Sequence, residues 1–578
     1  MSSPAPPSVR EVDARLCAPG SLFELETVVV DGRPVRAWKN APRSLGAILD
    51  RSREVGGDRA FLVLDDERVS HAEHHERAVR LAAALVDELG VRKGDRVAIA
   101  MRNLPEWSIA FFAAGLAGAI AVPLNAFWNG AELAFAIGDC EPRVLIADGE
   151  RFERLCGHEQ ALAGVVLVGT RLDDRKSDGP LPAGILAFAS LLDRPAVRPQ
   201  VEVEPDDPAT LFYTSGTTSH PKGVIGTHRN VCANVISLQF VGARALLRDG
   251  AKPPDGPFEP PIMLIPVPLF HATGCHTGLV GQAWFGGTVV LMRRWNPEVA
   301  LDLIERERIS GVTGVPTMVW DLVNAPSLAR RDLRSVRSLG GGGAAAPPEL
   351  LRRIREVVPN AGSGTGYGMT EASSLATSIS GSDYVARPRS VGVPVPVCEV
   401  RIVDEDGRPL PVGEVGEIWM RGSTVTLGYW RRPEDTAKTF TEGWLHSGDL
   451  GRLDEEGFLY IVDRAKDMVI RGGENVSSLE VEAALFEHPS VLEAAVFSVP
   501  HPTLGEEVGA VVRLREGAPL SEEALRVHAA ARLAPFKVPA HVFWTDEPLP
   551  RGATGKIQKR EIKARFLASS GTPSGGLR

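Results

Sequence analysis

From about Leu45 onward, short apolar runs alternate with stretches of helical spacing. That alternation confines the chain to a layered α/β architecture, because strands buried on both faces need helices to cover them. Glu76–Leu89 carries its apolar residues at helical intervals, and Arg96–Met101 is a strand-like run behind the turn Lys93-Gly94-Asp95. Val144–Ala147 and Val165–Val168 read as further short strands. A Pro- and acid-rich stretch, Arg198–Pro208, divides this lobe from the next. There Ile262–Val267, Thr288–Leu291, Ile309–Val315 and Val336–Leu339 again read as strands. Gly-rich turns follow several of them, at the strand ends where α/β folds place ligands.

The texture changes after Gly457. Phe458–Val462, Ala494–Val499 and Val508–Leu514 alternate with two shorter helices. Ser477-x-x-Glu480 predicts a capping box opening a helix to about His488, stopped by Pro489, and Ser521-Glu522-Glu523 opens another. At 578 residues the chain is long for one core. The expectation is an α/β protein with a large multi-subdomain N-terminal body (1–464) and a small mobile C-terminal α+β domain (465–578). Residues 1–20 and 569–578, rich in Ser, Pro and Gly, are expected to be mobile ends.

A net charge of −9 speaks against nucleic acid as a partner, since that would call for a basic face. The six cysteines form no CxxC pair, which argues against a zinc site or disulfide framework and for a reducing, cytoplasmic setting. Residues 1–10 lack the apolar core of a signal peptide. The most apolar run, Ser108–Leu124, is interrupted by Gly115, Gly118 and Pro123. It reads as a buried helix entering a strand at Ala119–Val122, so no integral membrane span is expected.

The sharpest chemical signal is Tyr213-Thr214-Ser215-Gly216-Thr217-Thr218-Ser219-His220-Pro221-Lys222-Gly223. Hydroxyls and free N–H groups can wrap phosphate oxygens, glycine permits close approach, and lysine supplies a point charge. A Walker A loop is excluded, because Pro221 precedes the lysine and Gly223 follows it. An ordinary surface turn does not need so many specific positions.

This segment resembles the phosphate loop of the adenylate-forming superfamily, which comprises acyl-CoA synthetases, peptide-synthetase adenylation domains and firefly-type luciferases. The resemblance spans about residues 45–565, with the motifs in family order. Ser219 departs from the family's usual glycine without removing a polar contact. The resemblance implies an ATP/AMP site that includes Thr214, Ser215, Gly216, Thr217, Thr218 and Lys222. The Gly340–Gly343 turn, with Ala344 and Ala345, would border adenine and the acyl group, Gly343 being on the nucleotide side. In Gly366-Tyr367-Gly368-Met369-Thr370-Glu371, the tyrosine would stack on adenine and Thr370 would meet the α-phosphate region. Glu371, together with Thr214, would hold magnesium, a hard cation suited to oxygen ligands. Asp449 in His446-Ser447-Gly448-Asp449-Leu450 would take the ribose hydroxyls, and Arg464 would reach ribose and phosphate. Lys466 falls at the family's hinge position. Lys556, in Arg551-Gly552-Ala553-Thr554-Gly555-Lys556, would bridge the attacking carboxylate and the α-phosphate.

His271, in Pro268-Leu269-Phe270-His271-Ala272-Thr273-Gly274, resembles the aromatic gate of acyl-CoA synthetases. Thr273, Val315, Gly341 and Met369 are expected to join it around the acyl group. Gly472 and Gly473 would line the path of coenzyme A. Lys556, Lys222, Glu371 and His271 are the implied catalytic groups. Carboxylate would attack the α-phosphorus of ATP and expel pyrophosphate, and coenzyme A thiol would then displace AMP, the small domain turning between steps. A medium- or long-chain fatty acid is the expected substrate, with an aryl or alicyclic acid as runner-up. A freestanding amino- or aryl-acid adenylating enzyme, a luciferase-like oxygenase and an inactive nucleotide-binding protein are the alternatives. The last would be expected to lack at least one of Lys556, Glu371 and Asp449, all of which are present. A homodimer is left open.

Overall fold

The structure, a computed structural model, describes residues 7–177, 179–214, 221–250, 259–344, 346–552 and 555–569. Two large sheets form the body. One runs in the order Lys222–Thr227, Pro208–Thr214, Ile120–Pro123, Arg96–Ala100, Val144–Asp148, Val166–Thr170, Leu186–Ala187. The other runs Val393–Pro394, Thr377–Ser380, Gly362–Tyr367, Ser338–Gly342, Gly311–Gly314, Ile262–Ile265, Thr288–Leu291, Ala60–Leu64, Glu67–Ser70. Arg96–Ala100, Ile120–Pro123 and Val144–Asp148 of the first sheet and Ile262–Ile265 and Thr288–Leu291 of the second pair in parallel and read as near-continuous apolar runs, as double-sided burial requires, whereas Gly311–Gly314, Ser338–Gly342 and Gly362–Tyr367 are glycine-rich. The helix Pro105–Leu116 is buried along its whole length, and the chain then enters the strand Ile120–Pro123, as the apolar run predicted.

An antiparallel sheet follows, built on Cys398–Val403, Gly416–Gly422 and Trp444–Leu453, with Leu459–Arg464 pairing the last of these. From Val469 onward the strands belong to a separate five-stranded sheet: Glu474–Val476, Val469–Arg471, Gly505–Leu514 and Val491–His501, with His541–Trp544 pairing Gly505–Leu514. Lys466 lies in the turn between Leu459–Arg464 and Val469–Arg471, where the backbone N–H groups of Asp467 and Met468 donate to the Arg464 carbonyl. The turn is flanked by an anchor. Buried Asp463 accepts from the Ser478 hydroxyl at 3.1 Å, and Ser477 Oγ donates to the Val462 carbonyl at 2.7 Å.

Several expectations need correction. The first twenty residues are not wholly a loose end: Val9–Leu16 is a helix with a Ser8/Glu11 capping box, and Asp13 accepts from Arg244 at 2.7 Å through both carboxylate oxygens. Ser477 caps its helix, Ser478–Phe486, but the box is incomplete, because Lys537 holds the Glu480 carboxylate at 2.7 and 3.0 Å. The strand read over Ile309–Val315 is only Gly311–Gly314, since Pro316 starts a helix at once. The 21-residue helix His228–Arg248 was not anticipated. It is long and apolar enough to cross a membrane, yet more than half of its apolar window is buried in the protein.

Candidate active site

The phosphate-loop segment is the connection of a β-hairpin. Thr214, at the end of one strand, pairs with Lys222, which begins the next. Ser215, Gly216, Thr217 and Thr218 fall outside the described residues, as does Ala345. Thr214 Oγ1 lies 3.5 Å from the Lys222 carbonyl, a contact too long to occupy the hydroxyl fully. Lys222 Nζ is 3.1 Å from Asp435 Oδ1 and stands 5.2 Å from the Tyr429 ring centroid.

Tyr429 links this lysine to Glu371. Its hydroxyl donates to Glu371 Oε1 at 2.9 Å. Glu371 is 6% exposed, and burial raises its pKa against the lowering effects of the Tyr429 bond and the Lys222 charge. A buried carboxylate held this way is poised for a cation, which would relieve the cost of ionising it away from water. Among the described residues no cluster of three or more His, Cys, Asp or Glu could hold a metal alone. A single buried carboxylate such as Glu371 fits magnesium, which is typically bound by one or two carboxylates with substrate phosphates supplying the rest.

The second pole gathers around Asp449. The Tyr367 hydroxyl donates to Asp449 Oδ2 at 2.7 Å, and Arg464 Nε lies 3.4 Å from Oδ1. Burial raises the Asp449 pKa, and the charges of Arg464, Lys556 and Lys466 oppose it. Thr370 opens a short helical turn that carries Glu371, directly after the strand Gly362–Tyr367 and the Gly368-Met369 link.

Lys556, from the C-terminal domain, lies close to Gly343. A Cβ placed on Gly343 would stand 3.4 Å from Lys556 Cε and 3.6 Å from Nζ. Burial, and after it the Arg464 charge, lower the Lys556 pKa against the pull of Asp449, to about 8 in all. Its loop is docked on the helix Pro316–Val323. The Thr317 hydroxyl donates to the Gly555 carbonyl at 2.9 Å, and Arg551 Nη1 lies 3.0 Å from Asp321 Oδ2. Trp320 Nε1 donates to the Leu492 carbonyl at 3.2 Å, and Arg515 Nη1 donates to Asn324 Oδ1 at 3.1 Å. Gly555 has φ +79°, and a side chain there would press on Val315 Cγ2 and Met318 Cε at 3.1 and 3.2 Å, so close docking requires glycine. Gly472 and Gly473 are exposed in the turn joining Val469–Arg471 to Glu474–Val476. The structure thus brings Lys556 to the site and leaves the two glycines outside it.

On the acyl side, Val315 is buried beside Val267 and Met318. Gly341 lies in the strand Ser338–Gly342, where a Cβ would be 2.5 Å from the Gly314 carbonyl, so this wall is bare backbone. Thr273 starts a π-helical segment, Thr273–Val280, a rare geometry that is frequent at functional sites. His271 precedes it, packed 4.8 Å from the Phe270 ring centroid, with Nε2 buried and lacking a hydrogen-bond partner among the described residues. Burial, then the Lys556 charge, lowers its pKa to about 3, so the ring is neutral. Met369 packs against the main core. Sequence reasoning missed Tyr429, Asp435 and Thr317; nothing local marks them, since each works through a partner distant in sequence.

Comparison with known proteins identifies the family. The AMP-binding enzyme family matches residues 49–430, and the AMP-binding enzyme C-terminal domain matches 480–556. A feruloyl-CoA synthase of Amycolatopsis sp. is 37% identical over 498 residues, covering 86% of this chain and 94% of the relative. A long-chain-fatty-acid–CoA ligase of Bacillus subtilis is 33% identical over 545 residues, covering 90% and 94%. The solved o-succinylbenzoate coenzyme A synthetase of Bacillus subtilis, in complex with ATP and magnesium, has a TM-score of 0.73 and 32% identity, covering 89% of this chain and 99% of that one. The chain belongs to the AMP-binding enzymes of the adenylate-forming superfamily. Its activity is that of an AMP-forming acid–thiol ligase, with ATP and coenzyme A as co-substrates.

Proposed function

We propose that the acid is an aryl acid of the hydroxycinnamate type, joined to coenzyme A through an aryl-adenylate. The likeness to feruloyl-CoA synthase over 86% of the chain carries this reading. Glycine at 341, close against the Gly314–Val315 backbone, and the buried Val315 with Met318 give the flat apolar surround that an aryl ring would use. The medium- or long-chain fatty acid expected from the sequence becomes the comparator.

In this reading Tyr367 stacks on adenine and Asp449 takes the ribose hydroxyls, steadied by Arg464. The hydroxyl of Thr214, the 215–218 segment and Lys222 embrace the phosphates, so Lys222 exchanges Asp435 for them. Thr370 meets the α-phosphate, with the Gly343–Ala345 turn and Gly366 and Gly368 as close backbone. Glu371 and Thr214 hold magnesium, which neutralises phosphate charge when bound. Lys556, cationic below about pH 8, lies where the acid's carboxylate and the α-phosphate must meet. Most of the rate comes from positioning and charge stabilisation, as in other transfers at phosphorus. His271 gates the path from the acyl site to the thiol. For the second step the small domain, residues 465–578, turns about Lys466 and brings Gly472 and Gly473 to the pantetheine arm. The cysteines, all free among the described residues, suit a reducing compartment such as the cytoplasm.

A screen of ferulic, 4-hydroxycinnamic, benzoic, decanoic and palmitic acids for AMP release with coenzyme A tests the assignment. Higher kcat/KM for the hydroxycinnamates is expected; a preference for the alkanoic acids overturns it.

A further inference from the structure

Three buried side chains meet around the carbonyl of Ser373, two residues beyond Glu371. Asn234, from the helix His228–Arg248, donates its amide N–H to that carbonyl. His276, from the π-helical segment, lies with Nδ1 at 3.4 Å from it. Asn234, His276 and Ser373 are 0%, 2% and 1% exposed. Asn234 Oδ1, His276 Nε2 and Ser373 Oγ nevertheless lack any hydrogen-bond partner among the described residues.

The chemistry of these orphans can be worked out. Burial lowers His276 to about pH 4, so its ring is neutral. With Nδ1 facing a carbonyl, the proton belongs on Nδ1 and Nε2 is a bare acceptor. Asn234 uses its N–H on the same carbonyl, so Oδ1 is a second bare acceptor. Ser373 adds a hydroxyl able to give or take a hydrogen. Each buried orphan costs stability, and three of them on neighbouring buried side chains are what is expected where a ligand supplies what is missing.

The cluster adjoins the acyl side. His276 sits in the segment that Thr273 opens, and its ring packs edge-on against Phe212 at 5.1 Å. The backbone N–H of Ser374 donates to the Met369 carbonyl at 3.0 Å.

We propose that His276 Nε2, Asn234 Oδ1 and Ser373 Oγ form a hydrogen-bonding subsite at the buried end of the acyl pocket, taking a hydroxyl or amino group that the acid carries far from its carboxylate. The inference rests on the assignment of the acid as aryl. Two bare acceptors select a donor, so the ring carries O–H or N–H at that end and not a methoxy group alone.

The test compares kcat/KM for 4-hydroxycinnamic and cinnamic acids, and for 10-hydroxydecanoic and decanoic acids, in wild type, His276→Leu and Ser373→Ala. The wild-type enzyme is expected to favour the hydroxylated aryl acid by roughly tenfold or more, the scale of one or two hydrogen bonds left unmade. Either variant should bring that ratio close to one. Should His276→Leu fail to fold, Ser373→Ala and the wild-type ratio still decide. Equal use of both cinnamic acids by wild type, or a ratio unchanged in the variants, overturns the subsite while leaving the aryl assignment standing. If only the decanoic acids react, the aryl assignment falls, and the 10-hydroxydecanoic to decanoic ratio then judges the subsite alone.

Discussion

The hydroxyl of Thr317 donates to the carbonyl of Gly555, the residue immediately before Lys556, at 2.9 Å. One side chain of the large body thereby fixes the backbone that presents the lysine. Thr317→Val keeps the shape and removes the donor, a loss of about 1 kcal/mol. Adenylation, measured as ATP–pyrophosphate exchange with the acid, should slow by roughly 5–10-fold. Thioester formation from supplied acyl-adenylate should not slow. Equal slowing of both half-reactions would show that Thr317 supports the fold rather than this docked arrangement.

Lys556→Ala should lower acyl-adenylate formation by roughly 10²-fold or more, the scale for losing a preorganised charge contact. Lys556 titrates near pH 8 in the free enzyme because burial disfavours its charge. The working cation is therefore present below that value and lost as pH rises through it. Adenylation kcat/KM for ATP should fall on the alkaline side near pH 8, and Lys556→Arg should move that limb upward by more than two units, since arginine stays charged. A pH profile unmoved by the arginine variant would assign the limb to another group.

Glu371→Gln should raise the magnesium concentration needed for half-maximal adenylation. Tyr429→Phe probes the same carboxylate from behind. It removes the 2.9 Å bond that lowers the Glu371 pKa, so the carboxyl should protonate at higher pH and the magnesium requirement should grow most at the acidic end. Magnesium titrations at two pH values, one acidic and one neutral, check both variants; curves identical to wild type would make the Glu371–Tyr429 pair purely structural.

Lys466→Pro should spare ATP–pyrophosphate exchange and severely slow thioester formation. Proline fixes φ and removes an N–H at the turn where one sheet hands over to another. Quench measurements of the two half-reactions decide it. Normal rates in both, in a folded variant, would move the pivot elsewhere.

Much of this arrangement was legible in the sequence because it is local. Double-sided burial writes itself as apolar runs, which is why Thr288–Leu291 was found to the residue. Thr214 and Lys222 stood out in a compact motif of turn and polar residues, while Tyr367, Glu371, Asp449 and Lys556 were marked by the resemblance of their motifs, in order, to those of the adenylate-forming superfamily. Tyr429, Asp435 and Thr317 did not, because their meaning lies in contacts across 58, 213 and 238 residues of chain. The incomplete capping box at Ser477 failed for the same reason: Glu480 had a better partner in Lys537, 57 residues away. The π-helical geometry of Thr273–Val280 has no periodic signature in so short a stretch, and so the alignment of His276 toward Ser373 was invisible.

The short helix Pro316–Val323 is preceded by its N-terminal cap Val315, proposed above to border the acid, and Thr317, Trp320, Asp321 and the C-terminal cap Asn324 all touch the C-terminal domain. In the proposed mechanism, recognition of the acid and release of the turning domain therefore share this one helix. A substitution that reshapes Val315 for a bulkier acid shifts the base on which Gly555 rests, and so alters how long the enzyme dwells in each arrangement. In that mechanism breadth of substrate and tempo of turnover are coupled through Pro316–Val323, and an engineer who widens one inherits a change in the other.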